Sequence, residues 1–199
     1  MPEEINRILC DHVSTLLFSP TQTGYDNLIR EGFKPNSPPP YNIDNPKLFH
    51  CGDVMYDNSL YFSAIAEHKT EVLKKNHVEG EEFILATIHR NNNTDDPARL
   101  SALFSAINTI SEQWKLKFII PLHPRTAKLL QKNLPGELYN KITGNERINI
   151  MPPVSFLEMI ALEKNAGMVM TDSGGVQKEA YFFKKPCIIL RSETEWTEL

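Results

Sequence analysis

An α/β protein, in which helices cover both faces of a parallel β-sheet, is the architecture that this sequence favours. From residue 83 onward, short apolar runs of strand length alternate with longer segments of helical periodicity. Parallel strands require such crossovers, because the chain must return to the same edge of the sheet before the next strand begins. The 199 residues, 41% hydrophobic and 23% charged, are sufficient to bury a core.

The first 80 residues predict fewer elements. Ile5, Leu9 and Val13 recur at helical spacing, and the prolines between Lys34 and Pro46 exclude regular structure there. In chain order we expect a helix over residues 1–12, a strand at Thr15–Ser19, a helix capped by Thr21 and ended by Gly32, a loop at Lys34–Pro46, a strand at Leu48–Gly52, a helical segment at Met55–Lys75 and a linker over residues 77–81.

Regular alternation follows this linker. Asp96 before Pro97 is a favourable helix start, and Ser155 with Glu158 forms a capping box. We expect strands at Phe83–Ile88, Lys117–Leu122, Ile148–Ile150, Met168–Thr171 and Pro186–Arg191. Between them we expect a polar loop at Asn91–Asp96, a helix from Asp96, a helix containing Leu129 and Leu130, a helix from Ser155 through Ala166, a tight turn at Asp172–Gly175 and a helix at Val176–Phe183.

Composition excludes several classes of protein. A net charge of −4 gives no reason to expect a nucleic-acid or membrane-surface partner, and no apolar run is long enough to span a bilayer. The scattered Cys10, Cys51 and Cys187 predict neither disulfides nor a metal site, which favours a reduced, cytoplasmic protein. The motifs GxSxG, HExxH, GxxxxGK[ST] and GxGxxG are absent from the sequence, so serine hydrolases, zincins, P-loop proteins and simple dinucleotide-binding proteins lack their defining residues.

Polar residues follow several predicted strands, where parallel sheets bind their ligands. These residues are His89 and Arg90, His123–Arg125, Asp172–Gly175 and Arg191–Glu193. The glycines of Asp172–Gly175 allow close approach of a ligand to the first turn of a helix, which suits a phosphate or diphosphate. Glu179, about one turn later, is placed to accept hydrogen bonds from a ribose diol. The alternative is a plain glycine-rich turn with Asp172 or Ser173 as the helix cap.

His89 can serve as acid, base or phosphate ligand, and Arg90 beside it suits phosphate oxygens. The alternative for His89 and His123 is a strand-end histidine that hydrogen-bonds to a loop. Glu3 and Arg7 share one face of the opening helix, and by themselves predict a solvated ion pair.

Taken together, these segments resemble a known family, the bacterial non-hydrolysing UDP-N-acetylglucosamine (UDP-GlcNAc) 2-epimerases. The resemblance covers essentially the whole chain, and Thr171–Ala180 (TDSGGVQKEA) is its most specific segment. The other matching segments are Pro2–Arg7 (PEEINR), Gly52–Asp57, Thr87–Arg90 with Asn93 and Thr94, and Arg191–Trp196. The chain departs from the family pattern at Asn92, where Glu is usual, at Met159, where some members place an aromatic residue near the uracil, and at Trp196, where some have arginine.

The resemblance implies an isomerase of the GT-B type, built from two Rossmann-like domains around a UDP-sugar. Residues 1–52 are then the end of the N-terminal domain, residues 53–80 a linker and crossover helix, and residues 81–199 an incomplete C-terminal UDP-binding domain. The implied reaction converts UDP-GlcNAc to UDP-ManNAc by loss and re-addition of UDP, without a cofactor, in a cytoplasmic homodimer. The family chain is longer at both ends, so we expect this polypeptide alone to have little activity.

The resemblance also implies roles for single residues. It makes Glu3 a catalytic carboxylate, Arg7 a residue near the diphosphate and His89 a residue of catalysis and phosphate contact. It makes Ser173, Gly174 and Gly175 the diphosphate cradle, Glu179 the ribose contact and His123 a further UDP contact. The alternatives are a GT-B glycosyltransferase, a hydrolysing UDP-GlcNAc 2-epimerase and a non-catalytic UDP-binding module.

Overall fold

The computed structural model describes residues 2–194, 196 and 198, with the side chains of residues 2 and 3 excepted. The chain forms two compact units. One runs from the N-terminus to Asp57 and includes Glu198, and the other begins at Asn58. None of the helices in the described part of the chain is both long enough and apolar enough to cross a lipid bilayer.

The first unit is a small α/β layer. Its elements are α1 (Pro2–His12), β1 (Leu16–Ser19), α2 (Gln22–Arg30), β2 (Lys47–His50) and the start of α3 (Val54–Lys69). The two strands pair in parallel, with Leu17 opposite Leu48. These leucines pack with Leu28 of α2 and with Phe33. The predicted helix cap is confirmed, because the Thr21 side chain accepts a hydrogen bond from the Gly24 amide.

The second unit contains the remaining elements. The strands are β3 (Phe83–Thr87), β4 (Lys117–Pro121), β5 (Ile148–Met151), β6 (Met168–Thr171) and β7 (Cys187–Ile189). The helices that follow the long helix α3 are α4 (Val72–Lys75), α5 (Asn91–Thr94), α6 (Pro97–Trp114), α7 (Pro124–Asn133), α8 (Gly136–Thr143), α9 (Phe156–Asn165) and α10 (Gly174–Phe182).

The strands of the second unit form one parallel sheet in the order β5-β4-β3-β6-β7. Helices α6, α7 and α8 contribute Phe104, Leu130 and Ile142 to a core on one face. Helices α9 and α10 contribute Leu162 and Ala180 to a second core on the other face. The predicted parallel sheet with helices on both faces is therefore confirmed, and its carboxyl-terminal edge brings β3, β4 and β6 side by side.

Local signals set the ends of these helices. The Asp96 carboxylate accepts hydrogen bonds from the amides of Ala98 and Arg99, as predicted for the start of α6. Ser155 and Glu158 form the predicted capping box at the start of α9.

Three predictions were incomplete or wrong. The expected loop at Asn91–Asp96 contains the helical turn α5, because Asn93 and Thr94 are buried by contacts that local sequence does not show. Helix α8 was not predicted, although its Ile142 is fully buried. The expected turn at Asp172–Gly175 is shorter, because Ser173 caps α10 and both glycines belong to the first helical turn.

Candidate functional site

A cavity of about 270 Å³ opens at the carboxyl ends of β3, β4 and β6. Three predicted site residues line it together: His89 follows β3, His123 follows β4 and Ser173 follows β6. Pro153, Val154 and Met159 supply an apolar wall. A cavity of similar volume lies between α3, α4 and α9, but its lining includes none of the residues at these strand ends.

The Asp172 carboxylate organises one side of this cavity. Asp172 is fully buried directly after β6 and accepts from the backbone amides of His89, at 3.1 Å, and Arg90, at 3.0 Å. The side-chain amide of Asn93 donates to it at 2.9 Å and also donates to the Leu190 carbonyl at 3.0 Å. One carboxylate thus fixes the loop after β3 against the end of β6.

The same carboxylate orients the His89 imidazole. The distance from His89 Nδ1 to Asp172 Oδ1 is 2.9 Å, while the imidazole itself is half exposed at 49%. A proton held on Nδ1 leaves Nε2 as the ring nitrogen that can face a ligand in the cavity.

The charge state of Asp172 follows from its surroundings. Burial acts to raise the pKa of Asp172, but the hydrogen bonds from the His89 and Asn93 side chains and from the Arg90 and His89 amides together hold it below the usual aspartate value. Asp172 is therefore an anion at neutral pH, and it contributes a fixed negative charge behind His89.

The start of α10 forms another side of the cavity. Ser173 is the N-cap, and its hydroxyl accepts from the Val176 amide at 3.5 Å. The amides of Gly174 and Gly175 lie in the first turn, where a helix offers N–H groups without intrahelical acceptors and a partial positive charge. The predicted capping role of Ser173 is therefore present, and it is compatible with anion binding at the same turn.

Nothing in the described protein atoms requires glycine at position 175. Its φ is not positive, and a Cβ placed there would lie 3.8 Å from the nearest atom, Ser173 Oγ, which is ordinary van der Waals contact. The space that a side chain at this position would fill is therefore open to a bound ligand.

His123 both caps a helix and lines the cavity. Its Nδ1 accepts from the Arg125 amide at 3.3 Å, so the neutral ring carries its proton on Nε2 as a donor. Arg125 itself turns away toward the loop after β3, where it donates to Asn91 at 2.6 Å and to Asp95 at 2.6 Å and 2.7 Å. Arg125 therefore ties two strand-end loops together.

Glu179 lies on α10, partly buried, beside the fully buried Glu163 of α9. Burial raises the pKa of Glu179, while its hydrogen bond with Glu163 acts in the opposite direction. Glu163 was not predicted as a site residue, since a carboxylate in an amphipathic helix carries no local signal of its burial. Asp172 was predicted as part of the polar turn after its strand, with a helix cap as the alternative, and Asn93 as part of a polar loop and of a matching segment, but neither was predicted as a partner of the loop that carries His89.

The remaining predicted residues are Arg90, which follows β3, and Arg7 and Glu3, which belong to the first unit. The Arg90 amide binds Asp172 and its side chain is exposed at the rim of the same strand end. Arg7, in the first unit, contacts Asp11 at 2.9 Å and Glu31 at 3.4 Å. Glu3 lies in α1, and its side chain falls outside the described residues.

Comparison with known proteins identifies relatives along the whole chain. The family profile described as UDP-N-acetylglucosamine 2-epimerase matches residues 1–199. A UDP-N-acetylglucosamine 2-epimerase homolog from Methanococcus maripaludis is 44% identical over 199 residues, covering 100% of this chain and 51% of the relative. The UDP-2,3-diacetamido-2,3-dideoxy-D-glucuronate 2-epimerase of Pseudomonas aeruginosa is also 44% identical, and 50% of its length is covered.

Solved structures agree with these matches. The UDP-GlcNAc 2-epimerase of Methanocaldococcus jannaschii superposes with a TM-score of 0.81 at 40% identity, covering 100% of this chain and 52% of that one. The same enzyme in complex with UDP-GlcNAc and UDP gives a TM-score of 0.79 at 39% identity, covering 98% of this chain and 50% of the other. The chain thus spans about half the length of the relatives that it matches. With its full length matched by one profile, this chain belongs to the UDP-N-acetylglucosamine 2-epimerase family.

Proposed function

We propose that this chain supplies the UDP-binding part of an isomerase that inverts C2 of UDP-GlcNAc to give UDP-ManNAc. The observation that carries the proposal is the cavity where His89, His123 and Ser173 meet the first turn of α10. The M. jannaschii relative, solved with UDP-GlcNAc and UDP, supports the choice of ligand.

In the proposed binding mode, the diphosphate lies against the amides of Gly174 and Gly175. These amides and His123 Nε2 offer hydrogen-bond donors to a group that carries negative charge, and His89 Nε2 donates to it when the ring carries a second proton. Arg90 adds a positive charge at the rim, and Glu179 accepts from the ribose hydroxyls. The wall formed by Val154 and Met159 suits the flat face of the uracil ring.

The proposed reaction removes the C2 proton and breaks the C1–O bond, so that UDP leaves and a 2-acetamidoglucal forms. UDP then returns to C1, and C2 receives a proton on the opposite face. Negative charge develops on the departing diphosphate, and the donors around the cavity stabilise that charge. Asp172 supports this step because it holds the His89 ring in place, while Glu3 and Arg7 are the proposed catalytic carboxylate and additional cation.

The test is UDP binding measured by titration calorimetry on this chain. We expect the substitution His89→Asn to weaken UDP binding about tenfold or more, because the shorter side chain no longer places a ring nitrogen against the diphosphate. His68→Asn is the matched control, since His68 is exposed near the end of α3 and does not line the cavity. Absence of UDP binding by the wild type would overturn the proposal.

A second candidate substrate is UDP-2,3-diacetamido-2,3-dideoxy-D-glucuronate, because the P. aeruginosa 2-epimerase named for it is 44% identical to this chain. Competition calorimetry with UDP, UDP-GlcNAc and this sugar nucleotide distinguishes the two. Stronger displacement of UDP by the diacetamido sugar would favour the second candidate.

We further propose that residues 1–52 belong to an N-terminal domain and residues 81–199 to the UDP-binding domain of a cytoplasmic homodimer. Because the chain covers about half of its relatives, we expect it to bind UDP but to turn over little UDP-GlcNAc by itself. Turnover at the rate of full-length relatives would contradict this expectation. Analysis of the products would separate the epimerase from a hydrolysing enzyme, which releases free ManNAc, and from a glycosyltransferase, which needs an acceptor sugar.

A further inference from the structure

Glu163 is a buried carboxyl group to which the proposed mechanism gives no role. It lies on α9 among Ile160, Ala161 and Leu162, and its exposed fraction is 0%. Neither of its carboxyl oxygens receives a hydrogen bond from an N–H or O–H donor in the described part of the chain. An ionised carboxylate is strongly disfavoured in such a site.

Helix α10 packs against α9, and the Glu179 carboxyl on α10 lies within hydrogen-bonding reach of Glu163. Two ionised carboxylates offer only acceptors, so this contact becomes a hydrogen bond only when one of them carries a proton. Burial, and then the charge of Glu179, raise the pKa of Glu163 well above its usual value. The more buried Glu163 is therefore the partner that holds the proton.

Other charged groups on the surrounding elements have partners of their own. On α9, Lys164 contacts Glu67 of α3 at 2.5 Å, and Glu158 accepts hydrogen bonds from the amide and hydroxyl of Ser155. On α10, Lys178 lies 4.3 Å from the centroid of the Trp196 ring. On α4, Lys74 contacts Glu79 at 4.0 Å. Hydrogen bonds from Ser155, and to a smaller extent the charge of Lys75 on α4, lower the pKa of Glu158. On β7, burial raises the pKa of the Cys187 thiol. The pKa of Glu163 is raised by its burial, and then by the charge of Glu179 and the hydrogen bond with it.

We propose that Glu163 is a positioning residue, a neutral acid that donates a hydrogen bond to one oxygen of Glu179 and leaves the other oxygen to accept from the ribose of the bound nucleotide. This inference rests on the proposed function, since it concerns the residue assigned to the ribose. It adds the statement that the ribose contact is a pair of carboxyl groups sharing one proton.

The shared proton makes nucleotide binding depend on pH. When rising pH removes the proton, two adjacent negative charges repel each other, and Glu179 loses the donor that holds it in place. When falling pH adds a second proton, Glu179 becomes a weaker acceptor for the ribose hydroxyls. UDP affinity therefore passes through a maximum, and its alkaline decline belongs to the pair.

The experiment compares UDP affinity by calorimetry between about pH 5 and pH 9 in the wild type and in Glu163→Gln. Glutamine has nearly the same shape, donates an N–H to Glu179 and does not ionise. We expect Glu163→Gln to bind UDP about as well as the wild type near the maximum and to lose the alkaline decline. The ratio of the two affinities at each pH cancels the ionisation of UDP itself.

Two further variants complete the design. Glu163→Leu keeps the volume but removes the donor, and we expect it to bind UDP about tenfold more weakly than Glu163→Gln. Glu146→Gln is the control for loss of a carboxylate, because Glu146 is exposed in the loop before β5. We expect the pH profile of Glu146→Gln to match that of the wild type.

Parallel pH profiles for the wild type and Glu163→Gln would overturn the proton-sharing pair. Absence of UDP binding by the wild type at every pH would instead overturn the proposed function. Infrared spectroscopy of the wild type provides an independent readout that does not depend on the folding of a variant. We expect the carbonyl band of a protonated carboxylic acid at neutral pH, and its absence would also overturn the proposal.

Discussion

The Asp172 carboxylate and the His89 imidazole meet at 2.9 Å across the ends of two neighbouring strands, β6 and β3. The backbone amide of His89 binds the same carboxylate, so both the loop and the ring of this histidine are held by one buried group. The Thr87 and Thr171 hydroxyls, 2.6 Å apart, join the same two strands just before this contact. These contacts fix the histidine before any ligand arrives, which favours binding because less conformational freedom is lost.

We expect Asp172→Asn to lower the free energy of unfolding by about 2–4 kcal/mol at pH 7, because the amide presents an N–H to a site that contains only donors. Chemical denaturation measures the change. Asp95→Asn is the control, since Asp95 pairs with Arg125 while half exposed, and we expect a loss within about 1 kcal/mol. Equal losses in the two variants would show that the Asp172 carboxylate does not stabilise the fold.

Acid should remove the contribution of Asp172. Its pKa in the folded protein lies below the usual aspartate value, so the stability that it provides is present above the unfolded-state pKa and is lost as pH falls through the folded-state pKa. We expect the free energy of unfolding to fall steeply below about pH 4 in the wild type. The same curve in Asp172→Asn should be shallower, and identical slopes would contradict the lowered pKa.

Gly175→Ala should separate ligand binding from folding. Outside its own helix backbone, the added Cβ meets no atom of the described residues closer than 3.8 Å, and alanine is the better helix former, so we expect a thermal unfolding midpoint at or slightly above that of the wild type. A diphosphate against this turn would collide with the methyl group, and we expect UDP binding to weaken about tenfold or more. Gly136→Ala, at the first residue of α8, is the matched control and should leave both properties unchanged. Unchanged UDP affinity in Gly175→Ala would argue against the diphosphate position.

The Glu163–Glu179 pair predicts a stability change at the other end of the pH range. Both pKa values are raised in the folded protein, so the stability linked to the bound protons is present below the unfolded-state pKa and is lost as pH rises through the folded-state values. We expect the free energy of unfolding of the wild type to fall from about pH 5 upward. Glu163→Gln should give a flatter curve, whereas Glu146→Gln should follow the wild type. Superimposable curves for the wild type and Glu163→Gln would contradict the raised pKa values.

Features that depend on neighbouring residues were predictable from the chain itself. The apolar run at Phe83–Thr87 forms a strand, and Asp96, Ser155 and Thr21 cap helices as predicted. Periodicity and capping act within a few residues, so a linear pattern contains the information that these elements need. The grouping of polar residues at strand ends was also predictable, because once the strands are known to be parallel, their carboxyl ends must lie at one edge of the sheet.

Contacts between distant segments were not predictable in this way. Asp172 binds an amide 83 residues earlier in the chain, and this depends on β6 lying next to β3 in the sheet. The helical turn α5 forms where Asn93 bridges Asp172 and Leu190, and Glu163 becomes a proton donor only because α9 and α10 bury it beside Glu179. Burial and proximity set the charge states of these groups, and both are properties of packing between elements rather than of any local run of residues.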